Sequence, residues 1–346
     1  MDDAGRRDLP ADVLVDILLR LPPSTRRRVR LVCRLWRDVV DERTSEMQSR
    51  ATPLFWDSWD AVAYVLDDLS KSSTGNCREL WRQATYGELV GTCNGLLCLC
   101  DMVTPGGGVT LVNPATHETL SVPQLPCAGG NNWYKAYSFA YHPTSGQYKV
   151  VHVPCSIDRM SVFNTVHVLT LGEASWREVP TGLEQDRWCE CNLSAGIVSV
   201  DGTTYWVMSY GAAARVVSFD LEHECVTFVK GLPAHTGNYH LTEVHGRLGL
   251  VWILDKGHKW RCRYSLKQQD LMWPHFVYGE YVLTEENGWI CGHYRRKGMW
   301  SSNKAVPVLV SHRAQGMLLA HTPSNLCRTF PYVETMEPLS IYAANC

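Results

Sequence analysis

The sequence lacks the features that would send a chain into a membrane or out of the cell. No apolar run follows the charged start MDDAGRR, so we expect no secretory signal. No uninterrupted apolar stretch approaches the roughly 20 residues that span a bilayer. The 14 cysteines are expected to be reduced thiols, because a chain of 346 residues without a signal is unlike a small disulfide-rich secreted domain. We therefore expect the protein in the cytoplasm, the nucleus or both, with no membrane partner.

The chain also lacks an excess of charge of either sign. Its formal net charge is −2, which favours neither nucleic acid nor an anionic lipid surface as a partner. The basic run at 26–30 (RRRVR) could attract nucleic acid, but Asp12, Asp16 and Asp38 are close to it in the sequence. We interpret the run as a solvated helix face and expect no nucleic-acid partner.

Motifs for catalysis, metal binding and nucleotide binding are missing as well. Cys98 and Cys100, like Cys189 and Cys191, are separated by one residue, whereas zinc sites use pairs two to four residues apart. On a strand this spacing places both thiols on one face, which favours buried apolar cysteines. The glycine run at 106–108 is not followed by the Lys-Ser/Thr of a phosphate-binding loop, and there is no Gly-x-Ser-x-Gly. We expect no catalytic residue, no metal and no cofactor, and a chain that is not an enzyme.

What the sequence does contain is a helical stretch over residues 9–40. Pro10 suits the first helical position, where its missing N–H would have no intrahelical partner, and Asp12 adds a carboxylate to the first turn. The prolines at 22–23 end this helix, and the Ser-Thr pair at 24–25 can cap a second one. The apolar stripes are Val13, Ile17, Leu18 and Leu21 in the first helix, and Val29, Val32, Cys33, Trp36 and Val40 in the second. Two short helices bury little surface alone, so this unit needs a partner or the rest of the chain.

Beyond residue 90 the pattern changes to short apolar runs separated by turn residues, which is typical of strands. The strongest hairpin signal is Asp201-Gly202, which stands between two alternating apolar runs. A similar succession of apolar runs and turn residues begins again at Leu241. The corresponding glycines, Gly202 and Gly246, are 246 − 202 = 44 residues apart. This spacing lies within the period of about 40–50 residues of a four-stranded propeller blade. We predict a β-propeller of five or six blades, with an all-β sandwich as the alternative architecture.

Residues 9–40 resemble an F-box, the small helical module that docks on the Skp adaptor of a Skp–cullin–F-box ubiquitin ligase. The matching elements are Leu9-Pro10, Ile17-Leu18, Leu21-Pro22 and the ending Val32-Cys33-x-x-Trp36-Arg37. The resemblance implies adaptor contacts by Leu9, Pro10, Val13, Ile17, Leu18, Leu21, Pro22, Val29, Val32, Cys33 and Trp36. Arg26 and Arg27 stand where the family usually has two apolar residues, and we expect their stems to cover apolar surface while their heads reach water. An ordinary helical hairpin that caps a larger fold is the alternative.

The later region resembles the kelch-like F-box-associated region of plant F-box proteins. The resemblance rests on GTCNGLLCL at 91–99, on LVNPATHE at 111–118, and on the pattern VDGTTYW at 200–206 with its partner strand near Phe219. The predicted fold is α+β and multidomain. It comprises a helical F-box module at 1–50, a connecting segment at 51–90, and an all-β, kelch-like propeller domain at 91–346.

The resemblance implies the function of a substrate-recognition subunit of a Skp–cullin–F-box E3 ubiquitin ligase. The helical module would bind a Skp-family adaptor and, through it, a cullin. The β domain would bind an unknown target protein, and a partner enzyme would transfer ubiquitin. Two alternatives stay open: a binding protein that uses its F-box outside a ligase, and a β-propeller enzyme.

Overall fold

The computed structural model of the protein describes two helices and 25 strands, together with parts of the segments that connect them. The described residues are 10–21, 25, 26, 29, 32–43, 51–58, 60–66, 77–83, 87–101, 103, 107–125, 136–142, 145–153, 165–182, 190–210, 213–232, 240–244, 247–251, 265–266, 273–278, 281–286, 289–294, 308–309, 318–321 and 328–343. Within these ranges, neither helix is long and apolar enough to cross a membrane.

The N-terminal helical module consists of α1 (Ala11–Arg20) and α2 (Arg34–Arg43). Pro10 precedes α1, and its carbonyl accepts the first helical hydrogen bond, from the N–H of Leu14 at 3.1 Å. Pro10 is therefore the N-cap and not the first helical residue that the sequence predicted. Leu14, Leu18 and Val39 are almost fully buried and form the small core between the two helices.

The predicted second helix is interrupted. Thr25, Arg26 and Val29 have helical backbone, but Val32 and Cys33 do not. The helix α2 begins after Cys33, whose carbonyl accepts a hydrogen bond of the first turn at 3.1 Å. The apolar stripe that the sequence predicted over this stretch therefore spans two elements, which need not present one common face.

The rest of the described chain forms antiparallel sheets, four of which we name blades 1 to 4. Blade 1 contains β1 (Thr52–Asp57), β2 (Val62–Leu66), β3 (Cys77–Arg82) and the last strand of the chain, β25 (Arg328–Tyr332). Blade 2 contains β4 (Gly87–Cys93), β5 (Leu96–Asp101), β6 (Val109–Asn113) and β7 (Glu118–Ser121). Blade 3 contains β8 (Tyr137–His142), β9 (Gln147–His152), β10 (Thr165–Thr170) and β11 (Arg177–Pro180). Blade 4 contains β12 (Glu190–Cys191), β13 (Val198–Val200), β14 (Thr203–Tyr210), β15 (Ala213–Asp220) and β16 (Cys225–Gly231).

Three further sheets complete the described strands. A hairpin contains β17 (His240–Val244) and β18 (Arg247–Val251), and a short parallel pair contains β19 (Ser265–Leu266) and β23 (Val308–Leu309). A four-stranded sheet contains β20 (Trp273–Tyr278), β21 (Tyr281–Glu286), β22 (Trp289–Tyr294) and β24 (Leu318–His321). Two short 3-10 helices lie at Leu193–Ala195 and Ser340–Tyr342.

The sheets are arranged in a ring. Their inner strands contact one another in the order β25, β4, β8, β13, β17 and β20, and β20 contacts β25 again. This closed cycle is the arrangement of a propeller, so the propeller prediction is confirmed and the sandwich alternative is wrong. Six inner strands line this ring in the described part of the chain.

Apolar cores fill the spaces between neighbouring blades. Trp56 belongs to the core between blades 1 and 2, Phe139 to the core between blades 2 and 3, and Trp206 to the core between blades 3 and 4. Leu241 packs against blade 4 from the β17–β18 hairpin. In the described part of the chain the blades thus bury their apolar faces mainly against their neighbours, which makes the ring the stable unit.

Two tight turns explain how the inner hairpins form. Asp201 and Gly202 join β13 to β14 with φ values of 47° and 74°, and Asn94 and Gly95 join β4 to β5 with φ values of 48° and 83°. Consecutive positive φ values are those of a type I′ turn, which Asn-Gly and Asp-Gly favour. The hairpin predicted at Asp201-Gly202 is confirmed.

The β domain begins earlier in the chain than the sequence predicted. The segment 51–90, expected to be a connection, supplies β1, β2, β3 and the first residues of β4. β1 pairs with β25 over five residue pairs, from Thr52↔Tyr332 to Trp56↔Arg328. The domain boundary predicted at residue 91 is therefore wrong, because blade 1 combines strands from both ends of the propeller.

The residues after β25 cross the neighbouring blade, and we call residues 333–343 the C-terminal segment. The Asn113 side-chain amide donates hydrogen bonds to the carbonyls of Thr335 and Glu337, at 3.2 and 2.8 Å. The N–H of Leu339 donates to a Glu118 carboxylate oxygen at 2.7 Å. The C-terminal segment therefore ties the closing strand of blade 1 to blade 2.

A charged network joins blades 3 and 4. The buried Lys149 Nζ of β9 donates to the Leu221 carbonyl at 2.5 Å and to Glu224 Oε1 at 2.7 Å. Arg177 donates to the same Glu224 oxygen at 2.5 Å and also pairs with Glu173. Burial raises the pKa of the Glu224 carboxyl, but the hydrogen bonds from Arg177 and Lys149 outweigh it and hold the pKa below its ordinary value.

This network predicts a pH-dependent contribution to stability. Because the pKa of Glu224 is lower in the folded chain than in the unfolded one, the contribution is full above the ordinary carboxyl pKa of about 4 and is lost as the pH falls further. Glu224→Gln should lower the free energy of unfolding by about 1–3 kcal/mol at pH 7, since it leaves Lys149 without its carboxylate. The difference in the free energy of unfolding between this variant and the wild type should become smaller toward pH 3. Urea denaturation at pH 7 and at pH 3 measures it. Glu222→Gln in the same turn is the control, because that carboxylate is half exposed.

Candidate functional site

The helical module carries four exposed large apolar side chains among its described residues. Val13, Ile17, Val32 and Leu35 keep between 40% and 64% of their surface exposed, although the module has a filled core beneath them. Several exposed apolar side chains on so small a module indicate a surface that a partner covers. We call these four residues the apolar patch.

The geometry of α1 explains why part of its apolar stripe faces outward. Val13 and Ile17 are four residues apart and share one side of the helix, whereas Leu14 and Leu18 share the side that packs on α2. The apolar arc of α1 is therefore wide enough to serve both the core and the surface. The four positions that the sequence grouped as one stripe are divided between these two roles.

The turn before α2 supplies the other half of the patch. Val32 lies in this turn and donates its N–H to the Val29 carbonyl at 3.1 Å, and its side chain is 64% exposed. Leu35 in the first turn of α2 is exposed, whereas Trp36 is half-buried and packs on the module core.

The predicted adaptor-binding residues divide into four groups. Exposed on the surface are Pro10, Val13, Ile17, Val32 and Cys33. Half-buried at the edge of the module core are Leu21, Val29 and Trp36. Leu9 and Pro22 lie outside the described residues. Leu18 is fully buried, so its predicted contact with the adaptor is wrong: its side chain fills the core against α2 instead.

The sequence missed Leu35. It falls outside the stripe predicted for the second helix, yet it is 43% exposed beside the turn that holds Val32. The spacing of three residues between Val32 and Leu35 was the available signal, because the sequence predicted one helix over both and residues three apart on a helix are neighbours. The roles of the exposed residues in binding stay predictions.

The side chain of Arg26 is buried, whereas the sequence predicted that its guanidinium group reaches water. Only 7% of its surface is exposed, so its head does not reach water as expected. Burial lowers the pKa of Arg26, while Tyr141, Tyr148 and Glu337 of the β domain act in the opposite direction. Arg26 therefore faces the propeller and the C-terminal segment, and Arg27 lies outside the described residues.

The cysteine pair on β5 belongs to the propeller core. Cys98 and Cys100 are fully buried in the core between blades 2 and 3, as the sequence predicted. Burial raises the pKa of both thiols, which keeps them protonated and removes the thiolate that nucleophilic attack or metal binding requires. Of the second pair, Cys191 is half-buried against the next core, and Cys189 lies outside the described residues.

A cleft on the propeller lies between blades 2 and 3. It has a volume of about 260 Å³ and is bordered by Pro123, His167, Trp176 and Glu178. The Trp176 indole N–H donates to the Pro123 carbonyl at 2.7 Å and so closes one wall of the cleft. Burial lowers the pKa of His167, although the Glu178 carboxylate at 3.7 Å opposes that shift. The cleft is smaller than the roughly 300–1,000 Å³ of typical ligand pockets, so the apolar patch is the better candidate site.

Comparison with known proteins agrees with both parts of the structure. Residues 7–45 match the F-box-like family, and residues 64–270 match the F-box associated beta propeller domain. The putative F-box proteins At3g10240 and At1g47790 of Arabidopsis thaliana are 24% and 27% identical to this chain. These alignments cover 75% and 74% of this chain, and 72% and 71% of the relatives. The F-box protein At3g07870 of Arabidopsis thaliana is 30% identical over 43% of this chain, but the alignment spans only 38% of that relative.

The helices and the closed ring of sheets define a protein with an F-box-like helical module joined to a β-propeller. The propeller family matches more than half of the chain, and the F-box-like family matches the helical module. The chain belongs to the family of F-box proteins with an F-box associated β-propeller domain. Proteins of this family are substrate-recognition proteins.

Proposed function

We propose that this protein is the substrate-recognition subunit of a Skp–cullin–F-box E3 ubiquitin ligase. The apolar patch docks on a Skp-family adaptor, the adaptor binds a cullin, and the propeller holds a target protein. A partner enzyme transfers ubiquitin. The protein acts in the cytoplasm, the nucleus or both.

The observation that carries this proposal is the exposure of the apolar patch on a module whose core is already filled. Val13, Ile17, Val32 and Leu35 gain nothing inside the module, because Leu14, Leu18 and Val39 occupy that core. Removing apolar area from water contributes about 25 cal/mol per Å². We therefore expect these four side chains to supply most of the free energy of binding between the module and a partner that covers the patch. Asp12 and Asp16, which precede Val13 and Ile17 on α1, are exposed too, and charged residues are typical of the rim of a protein interface.

Arg26 supports a fixed geometry between the adaptor and the target. Its burial beside the propeller gives the helical module a contact with the domain that would bind the target. A target on the propeller would then be held at a defined position relative to the ligase. Arg26 is not part of the apolar patch, so we expect its replacement by leucine to leave adaptor binding unchanged.

The double substitution Val13→Asp and Ile17→Asp tests the proposal. It removes two apolar contacts and would place two carboxylates in the interface, so adaptor binding should weaken by about 2 kcal/mol or more, roughly thirtyfold. The measurement is the dissociation constant for a purified Skp-family adaptor by isothermal titration calorimetry. Both positions are exposed, so the melting temperature of the protein should change little.

Val103→Asp is the matched control, because Val103 is an exposed apolar residue of the β domain. It should leave the dissociation constant unchanged. Equal binding by the double variant and the wild type would contradict the proposed docking surface. Adaptor binding without copurification of a cullin would instead indicate an F-box protein that acts outside a ligase.

A further inference from the structure

The outer strand of blade 4 is a long edge with exposed apolar side chains. β16 has seven residues and stands last in its sheet, so in the described part of the chain it pairs on one side only, with β15. Phe228 and Val229 are 44% and 51% exposed, and Cys225 and Thr227 are exposed beside them. An edge of this kind presents unpaired backbone N–H and C=O groups that another strand can use.

The outer strands of blades 1 to 3 are protected. β7 and β11 have only four residues each, and β11 ends in Pro180, which has no N–H to donate. β3 exposes Arg78, Glu79 and Arg82, and the last two form an ion pair at 2.7 Å. Short length, charge and proline are the usual means of blocking a sheet edge. In β16, Lys230 is the only charged residue, so blade 4 departs from the other three.

The pairing of β16 with β15 is regular over the first four residues of β16. Cys225 pairs with Asp220, and the register continues to Phe228, which pairs with Val217. A bulge then leaves Val229 without a partner on β15 and ends the regular stretch. The turn before β16 is anchored to blade 3 by Glu224, so the strand is held in position before any partner arrives.

A cation lies beside this edge. The exposed Arg215 guanidinium carbon stands 5.8 Å from the centre of the Phe228 ring. Among the described residues Arg215 has no carboxylate partner, whereas Lys149 and Arg177 at the other end of the hairpin are both paired with Glu224. Arg215 and Phe228 together therefore suit a segment that carries a carboxylate next to an apolar side chain.

We propose that β16 binds an extended segment of the target protein, which adds to blade 4 as a further strand over Cys225–Phe228. Backbone hydrogen bonds supply affinity, Phe228 contacts an apolar side chain of the segment, and Arg215 pairs with an acidic one. Strand addition of this kind uses the backbone for affinity and alternate side chains for specificity. The inference rests on the proposed function only in calling the segment a target, since the binding itself needs no adaptor.

Selection from a library of random nine-residue peptides displayed on phage tests this inference with the full chain. We expect enriched peptides to combine alternating apolar residues with an Asp or Glu. Fluorescence polarisation of the synthesised peptides should show at least tenfold weaker binding to Phe228→Lys and to Arg215→Glu. Exchange of the peptide acid for lysine should restore binding to Arg215→Glu.

The controls locate the bound peptide. Val103→Lys, at an exposed site outside blade 4, should bind as the wild type does, and the melting temperatures of all variants should agree. The bound peptide should slow alkylation of the exposed Cys225 and leave the exposed Cys33 of the helical module unaffected. No enrichment over a parallel selection on Phe228→Lys, or protection of Cys33 instead, would overturn the inference. Self-association that Phe228→Lys abolishes would overturn it too, because a second copy of the chain would then occupy the edge.

Discussion

A chain that ends at Cys327 should lose its cooperative unfolding transition. The missing residues comprise β25, which pairs with β1, and the C-terminal segment that crosses blade 2. Blade 1 then lacks its inner strand, and the contacts of that strand with β4 and β20 disappear. The ring is opened at one point, and the blades on either side of the gap expose their faces to water.

The size of the effect follows from what these residues bury. Tyr332, Leu339 and Tyr342 are buried, and each large side chain contributes about 1.5–3 kcal/mol. The hydrogen bonds from Asn113, and the bond from the buried Tyr342 hydroxyl to Glu337 at 2.5 Å, are lost as well. Their combined effect is on the scale of the whole stability of a domain, about 5–15 kcal/mol.

Tryptophan fluorescence during urea denaturation measures this effect. A broad, non-cooperative change at low urea is expected for the chain ending at Cys327. A chain that ends at Ala343 is the matched control, since it keeps β25 and the C-terminal segment and should unfold as the full chain does. A sharp transition at the wild-type midpoint in the shorter chain would show that ring closure does not hold the propeller together.

Gly95→Ala should destabilise the protein by about 2–6 kcal/mol. A Cβ at this position would lie 2.2 Å from the Val333 carbonyl oxygen and 2.6 Å from Thr335 Cγ2. The φ of Gly95 is +83°, which costs other residues about 1–3 kcal/mol on its own. Because the closest obstacle is backbone, relief requires the C-terminal segment to move off the β4–β5 turn, and overpacking of this kind adds about 1–3 kcal/mol.

Gly172→Ala separates the two causes. Gly172 has a φ of +95°, but nothing lies within 4 Å of the position that a Cβ would take. Its substitution should therefore cost only the backbone strain, and the difference between the two variants measures the contact with the C-terminal segment. The free energies of unfolding come from urea titrations, and equal losses in the two variants would contradict that contact.

Much of the propeller could be predicted from the sequence because its hairpins are local. Asp201-Gly202 specifies a turn through the φ values of two adjacent residues, and the alternating runs on either side specify the strands. The buried pair Cys98 and Cys100 followed from the two-residue period of a strand in the same way. These features depend on residues close together in the chain, which one sequence displays directly.

The candidate site was predictable in part. The helical period showed that α1 has an apolar side, but it did not show which of Ile17 and Leu18 faces α2 and which faces solvent. That choice depends on where α2 packs, and α2 begins at Arg34 and not directly after the cap predicted at residues 24–25. Leu35 was missed, and Leu18 was wrongly included, for this one reason.

The sequence alone determined that the chain has a short helical module followed by repeated antiparallel hairpins, because amphipathic periods and turn residues act over a few positions. Only the tertiary structure decided that β1 pairs with β25, that blade 1 therefore begins at Thr52, and that Arg26 is buried beside the propeller. These features join residues that lie far apart in the chain, β1 and β25 some 270 positions apart. Their energy comes from burying surfaces that meet only when the ring closes, so no local pattern of residues records them.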